Sequence, residues 1–223
     1  MARGRAAGYD DQRELILTHA AHLFAHRGYP ATTMNDVAAA CGYSKATLYH
    51  YYKDKYSLLV SIADHHVSAL HKLVQEVQQS PLPPTHHLRT MIERIVKEYA
   101  GAQDAHRVLT EDVKFLQAGE RETILDKERA VVAGFAKAVQ ALHPDMKSTA
   151  LTTPLTMLLF GMINWMFTWM RPDGAIGYEA MAKIVADLFI GGLQHVRLTP
   201  DIMGTDREKD LQDPLPGTPT LTA

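Results

Sequence analysis

Apolar residues return every three or four positions along most of the 223-residue chain, and nowhere does the strict alternation of a half-buried strand take over. The pattern predicts an all-α protein of about nine helices. Ile16, Leu17, Ala20, Ala21, Leu23 and Phe24 form the stripe of a first helix, about Asp10 to Arg27, that ends near Gly28. Two short helical patterns follow within residues 33–59. A long one, about Asp54 to Gln79, carries Leu59, Ile62, Ala63, Leu70, Leu73 and Val77, and Pro81, Pro83 and Pro84 stop it. At 1.5 Å per residue it is about 39 Å long, enough to leave one domain and enter the next. A fifth helix shows Leu88, Met91, Ile92, Ile95 and Tyr99; a sixth shows Val108, Leu109, Val113, Phe115 and Leu116. A seventh, about Arg121 to Leu142, shows Ile124, Val131, Val132, Phe135 and Val139 and ends before Pro144. Leu151 to Met170 is apolar on nearly every side, which predicts burial on nearly every side. Pro154, Asn164 and four Thr residues interrupt it, against a membrane span. Tyr178 to Val196 is the last helix, with Met181, Ile184, Val185, Leu188 and Phe189, and with Gly191 and Gly192 permitting close approach.

The two short patterns meet at a tight turn. Thr33 has the side chain of an N-cap and Asp36 follows three residues later, close to a capping box. Val37, Ala38 and Cys41 give a small apolar face. Cys41-Gly42-Tyr43 supplies the turn, Gly42 being the residue suited to positive φ, and Ser44 caps a second helix from Lys45 to about Tyr51. That helix offers Lys45, Thr47, Tyr49, His50 and Tyr51, against only Ala46 and Leu48 for a core. A helix so short and polar is suited to a polar surface, and the major groove of DNA fits it.

Charge sharpens this reading. Residues 1–60 hold seven Lys/Arg and five Asp/Glu, net +2, which leaves −4 of the total −2 for the remainder. Arg3 and Arg5 lie in a Gly/Ala-rich start, residues 1–9, that reads as a flexible arm able to follow a DNA groove. The single Cys41 excludes an internal disulfide, and no basic-plus-apolar leader opens the chain, which points to a cytoplasmic protein. A tail from 199 with Pro200, Pro214, Pro216 and Pro219 reads as disordered.

These residues resemble the tetracycline-repressor (TetR/AcrR) family of bacterial transcription regulators. The likeness runs from Arg13-Glu14-Leu15-Ile16-Leu17 through Ala20-Ala21, Phe24, Gly28-Tyr29, Thr32-Thr33, Val37-Ala38 and Gly42-Tyr43-Ser44. It closes with Leu48-Tyr49-His50-Tyr51-Tyr52-Lys53-Asp54-Lys55 and Leu58-Leu59. Ala46 stands where the family often has Gly, Cys41 where it often has Ala, and Tyr52 where Phe is usual; the Tyr52 hydroxyl therefore needs a partner near a small core. The resemblance implies a helix-turn-helix head at 10–55 and a ligand-binding and dimerisation domain at 56–198. It implies DNA contacts from Thr33, Ser44, Lys45, Ala46, Thr47, Tyr49, His50, Tyr51 and Lys55, with Lys45 and Thr47 facing base edges and Tyr49, His50 and Lys55 on the backbone. The last two helices of two subunits would form a four-helix homodimer interface.

His106-Arg107-Val108-Leu109-Thr110-Glu111-Asp112, Met157 to Trp165 and Arg171-Pro172-Asp173-Gly174 resemble a subgroup that controls fatty or aromatic acid catabolism and often senses coenzyme A thioesters. His66 and Leu70, on the apolar stripe of the long helix, and Phe115, Asn164 and Trp165 are the expected lining of an effector pocket. Arg129 is the expected partner of an anionic group. A hydrogen-bonded core histidine is the commoner role for His66, and a surface salt bridge the commoner role for Arg129.

Other constellations are weaker. His19, His22 and His26 recur at i, i+3 and i+7, but no Cys or carboxylate cluster stands near them in sequence, so they read as a solvated face with no metal. The adjacent pairs His65-His66 and His86-His87 point about 100° apart on a helix and cannot chelate alone. Cys41 reads as a small buried hydrophobe before a redox switch. Gly-rich phosphate loops, His-Glu-x-x-His, paired Cys and Gly-x-Ser-x-Gly are all missing from the sequence, so no enzymatic activity and no cofactor is expected. The chain reads as a ligand-responsive repressor of a palindromic operator, released by an acyl- or aryl-CoA thioester. The alternatives are a drug-responsive repressor of an efflux pump and a DNA-binding factor without an effector.

Overall fold

The computed structural model describes residues 8–142, 151–171 and 174–196; Arg3, Arg5, Pro144, Pro172, Asp173 and the tail from 199 lie outside them. Among the described residues the regular structure is helical throughout. In chain order the helices are α1 (Tyr9–Arg27), α2 (Met34–Ala40), α3 (Lys45–Tyr51), α4 (Lys55–Gln79), α5 (Pro84–Gly101), α6 (Gln103–Asp112), α7 (Ala118–Leu142), α8 (Thr152–Trp169) and α9 (Tyr178–Leu193).

Two cores share α4. Ile16, Phe24, Val37 and Leu48 of α1–α3 pack with Leu58, Leu59, Ile62 and Val67 from the first half of α4. Leu70, Leu73, Val74 and Val77 from its second half join α5, α7, α8 and α9 in the larger core. Asp54 opens this helix with a capping box, accepting from the Ser57 N–H at 2.6 Å while the Ser57 hydroxyl accepts from the Asp54 N–H. Val108 and Leu109 of α6, Leu116 between α6 and α7, and Ile124 of α7 also enter the first core, so the head is cemented to the second domain well beyond residue 55. Where α4 meets α7, the Val74 side chain packs directly on Gly134, and Lys127 bridges to Asp64 and, at 2.9 Å, to Ser68.

Two expectations change. The sixth helix stops at Asp112; a single 3-10 turn, Val113–Phe115, follows, and the Gln117 N–H donates to the Tyr56 hydroxyl at 2.9 Å. Nor is α8 buried all round. Thr156, Leu159, Phe160, Ile163 and Met166 face the core, while Met157, Leu158, Trp165 and Trp169 form an uncovered apolar face, Trp165 being 69% exposed. On α9, Val185, Ala186 and Phe189 are buried but Ile184 and Leu188 are exposed, the latter by 63%. High overall hydrophobicity there reflects two apolar faces, of which the single chain covers one.

Candidate nucleic-acid interface

The turn between α2 and α3 is built from local hydrogen bonds. Thr33 Oγ1 accepts from the Asp36 N–H at 3.2 Å and the Asp36 carboxylate accepts from the Thr33 N–H at 2.8 Å, completing the capping box. Bonding to the Thr33 side chain and N–H holds the Asp36 carboxyl below its ordinary range. Gly42 takes φ +68° in the turn, and the Cys41 and Tyr43 N–H groups donate to Val37 and Ala38. Ser44 Oγ then accepts from the Thr47 N–H at 3.1 Å and starts α3.

Leu48 is the buried anchor of α3, which leaves Lys45, Ala46, Thr47, Tyr49 and His50 exposed on its outer side, with Ser44 at its cap and Thr33 exposed at the cap of α2. Lys45 Nζ sits 5.8 Å from the centroid of the Tyr49 ring. Tyr51 is turned back toward α1, where its hydroxyl donates to Gln12 and its ring lies 5.0 Å from that of Tyr9. Lys55 differs most from expectation. Its ammonium donates to the carbonyls of Tyr29 (2.7 Å) and Pro30 (3.1 Å) and lies over the Tyr29 ring at 4.4 Å, so it braces the α1–α2 connection instead of projecting outward. The buried Tyr52 hydroxyl has the partner it requires in Arg13. Burial raises the Cys41 thiol, away from a reactive thiolate.

Beside the head, α1, α4, α5 and α6 enclose an open cleft of about 1250 Å³. Leu17, Ile62 and Leu73 supply apolar walls; His66, Arg94, Lys97 and Glu98 add polar ones. His66 is 2% exposed and its Nε2 lies 3.3 Å from His106 Nδ1, so one neutral imidazole donates to the other. The His106 ring stacks on Tyr99 at 3.8 Å. Burial, with His106 and His65 adding repulsion, drives His66 down to about 3, and burial drives His106 down to about 4.

Sequence comparison agrees with this geometry. Residues 16–62 match the model of bacterial regulatory proteins of the tetR family, and residues 81–193 match the tetracyclin repressor-like C-terminal domain. The chain belongs to the TetR family. It is 32% identical to a TetR-family transcriptional regulator from Bordetella parapertussis 12822, with a TM-score of 0.78 over 86% of this chain and 100% of that one. Structural likeness to AibR, crystallised with isovaleryl coenzyme A and operator DNA, has a TM-score of 0.68 at 26% identity, over 79% of this chain and 97% of that one. The HTH-type transcriptional repressor KstR2 of Rhodococcus jostii is 27% identical over 84% of this chain and 93% of its own length. Among the described residues no helix is long and apolar enough to cross a membrane.

Within this TetR-family layout the residues expected to line one effector pocket are scattered. His66 lines the cleft, and Leu70 lies in the core one turn further along α4. Phe115 is carried by the 3-10 turn toward Tyr29, ring centroids 5.3 Å apart, because α6 ends before it. Asn164 and Trp165 are on the uncovered face of α8. Arg129 is exposed and held by Glu122 and Asp126 at 2.5 Å each, the surface salt bridge its neighbours favour. Arg94 and Lys97, which line the cleft, were not singled out by sequence; they look like any solvated helix face, and only folding turns them to the cleft. Arg94 also pairs with Glu76 at 2.6 Å.

Proposed function

We propose that the chain is a homodimeric repressor that reads a palindromic operator with α3 and releases it when an acyl-CoA thioester occupies the cleft against α4. The observation that carries this reading is the position of the cleft: its wall runs from α1 of the head through α4 to α5 and α6. A ligand lodged there touches both the DNA-reading head and the effector domain. The apolar wall suits an acyl group, and Arg94 and Lys97 suit the anionic phosphates. AibR, whose structure holds isovaleryl coenzyme A and operator DNA, supports the same ligand class here.

A second copy is the occupant that suits the uncovered faces of α8 and α9, since a monomer would leave Leu158, Trp165, Trp169 and Leu188 in water. The dimer would fix the two α3 helices at half-sites about 34–36 Å apart, and a small rotation of either head breaks that match. Ligand coupling of about 1–3 kcal/mol weakens operator affinity roughly 5- to 150-fold. The test is fluorescence anisotropy of an operator found by in vitro selection, titrated with short- and long-chain acyl-CoA, free acids and cationic drugs. Release by thioesters, reduced in Lys97→Ala, is expected. Release by drugs alone defeats the thioester assignment.

A further inference from the structure

His22 and His26 occupy successive turns of one face of α1, ring centroids 4.4 Å apart. Folding brings Asp104, in the first turn of α6, between them. One carboxylate oxygen lies 2.9 Å from His22 Nδ1 and the other 3.1 Å from His26 Nε2. One ligand atom from each residue lies within 4.8 Å of the other two. Tetrahedral coordination with bonds of about 2.0–2.2 Å sets ligand atoms about 3.3–3.6 Å apart, so side-chain rotations that open the two short contacts by a few tenths of an ångström and draw in the wider separations, all within 4.8 Å, make room for an ion.

We propose that His22 Nδ1, His26 Nε2 and the Asp104 carboxylate form a binding site for a first-row divalent transition metal, zinc being the ion this donor set suits. Two imidazoles and one carboxylate are the donors of borderline-soft cations, and solvent completes the shell. The ring edges are more than half exposed, so an ion has a route in. Without the ion the ionised carboxylate can only accept, which places a hydrogen on each facing ring nitrogen. Metal binding takes the lone pair of each facing nitrogen, so the hydrogen there moves to the other ring nitrogen or is given up to solvent. All three side chains line the cleft between the head and the effector domain. The ion therefore ties α1 to α6, and its solvent position opens onto the cleft.

Cobalt(II) is the probe, because its visible absorption reports nitrogen and oxygen ligands directly. Titration of the full chain is expected to show saturable absorption from one ion per chain, removed by excess Zn²⁺. His26→Gln and Asp104→Asn should each abolish it with unchanged circular dichroism, since both positions are solvent-accessible. His19→Gln, on the same helix but outside the triad, should keep it. Absence of saturable binding by the wild-type chain, or retention of the signal in either triad variant, overturns the assignment. Neither result depends on whether thioesters release DNA.

Discussion

The guanidinium of Arg13 lies over the Tyr52 ring, 5.2 Å from its centroid, and its Nε donates to the Tyr52 hydroxyl at 3.3 Å. This contact ties the start of α1 to the C-cap of α3. Tyr52 is 3% exposed, so Arg13→Ala strands a buried hydroxyl and should cost about 1–3 kcal/mol in urea denaturation. Tyr52→Phe removes the hydroxyl with its need and should cost less than about 1 kcal/mol. On the Phe background Arg13→Ala should lose most of its effect; equal costs on the two backgrounds would rule out the coupling.

Gly134 should resist the replacement that helix propensity favours. A Cβ there would stand 2.3 Å from Val74 Cγ1 and 3.3 Å from Gln78 Nε2. The propensity gain of about 1 kcal/mol is smaller than the repacking α4 and α7 would need, so Gly134→Ala should destabilise by about 1–3 kcal/mol. Adding Val74→Ala opens the space, and the double variant should be more stable than the two single losses added together. Strict additivity by denaturation would place the strain elsewhere.

The parts of this chain legible in sequence are those made by near neighbours. Thr33 with Asp36, Ser44 with Thr47, and Gly42 in the turn act over three residues or fewer, and each appears in the structure as its spacing predicts. The unusual Tyr52 announced its own need for a partner, though not that Arg13, 39 residues away, would meet it. The cleft is different. His22, His26 and Asp104 meet only because α1 packs on α6, and no local pattern in α1 foretells a carboxylate 78 residues on. Phe115 left the expected pocket through a change of helix end, a feature periodicity resolves poorly. Trp165, for which a core or interface place is a commoner reading than a pocket, stands exposed on α8, because an uncovered apolar face has the composition of a core.

His66 and His106 should make stability fall steeply in mild acid. Their folded values, about 3 and about 4, are below the unfolded value near 6.5, so the unfolded chain binds more protons between these limits. The stability held at neutral pH is lost as pH falls from about 6.5 toward 4, at up to about 1.4 kcal/mol per pH unit for each ring. Between pH 7 and 5 each histidine should account for about 2 kcal/mol. His66→Leu combined with His106→Leu should flatten that part of the urea-derived stability curve, at fixed protein concentration. An unchanged slope would mean the rings charge without unfolding.

Leu188 tests the proposed dimer. A glutamate there would put a charge into the exposed apolar face that α9 presents with Ile184, at a desolvation cost a tight interface does not tolerate. Leu188→Glu should sediment as a monomer with the helical circular dichroism of the wild type, and should lose operator affinity through the loss of paired half-sites. A dimer of undiminished stability would move the interface to another surface.

Lys45 and Tyr49 should divide reading from gripping on α3. Lys45 carries a charge that can reach base edges, and each such contact contributes about 1–3 kcal/mol of discrimination against a wrong base. Tyr49 holds Lys45 over its ring and presents a hydroxyl suited to a phosphate. Lys45→Ala should therefore weaken operator binding, relax sequence preference and lower the salt dependence by about one ion. Tyr49→Phe keeps the ring face for Lys45 and removes only the hydroxyl, so it should weaken operator and random DNA alike and leave preference intact. Anisotropy on the selected operator, a single-base variant and random duplex separates these effects. Wild-type affinity in both variants on all three duplexes would take DNA reading away from α3.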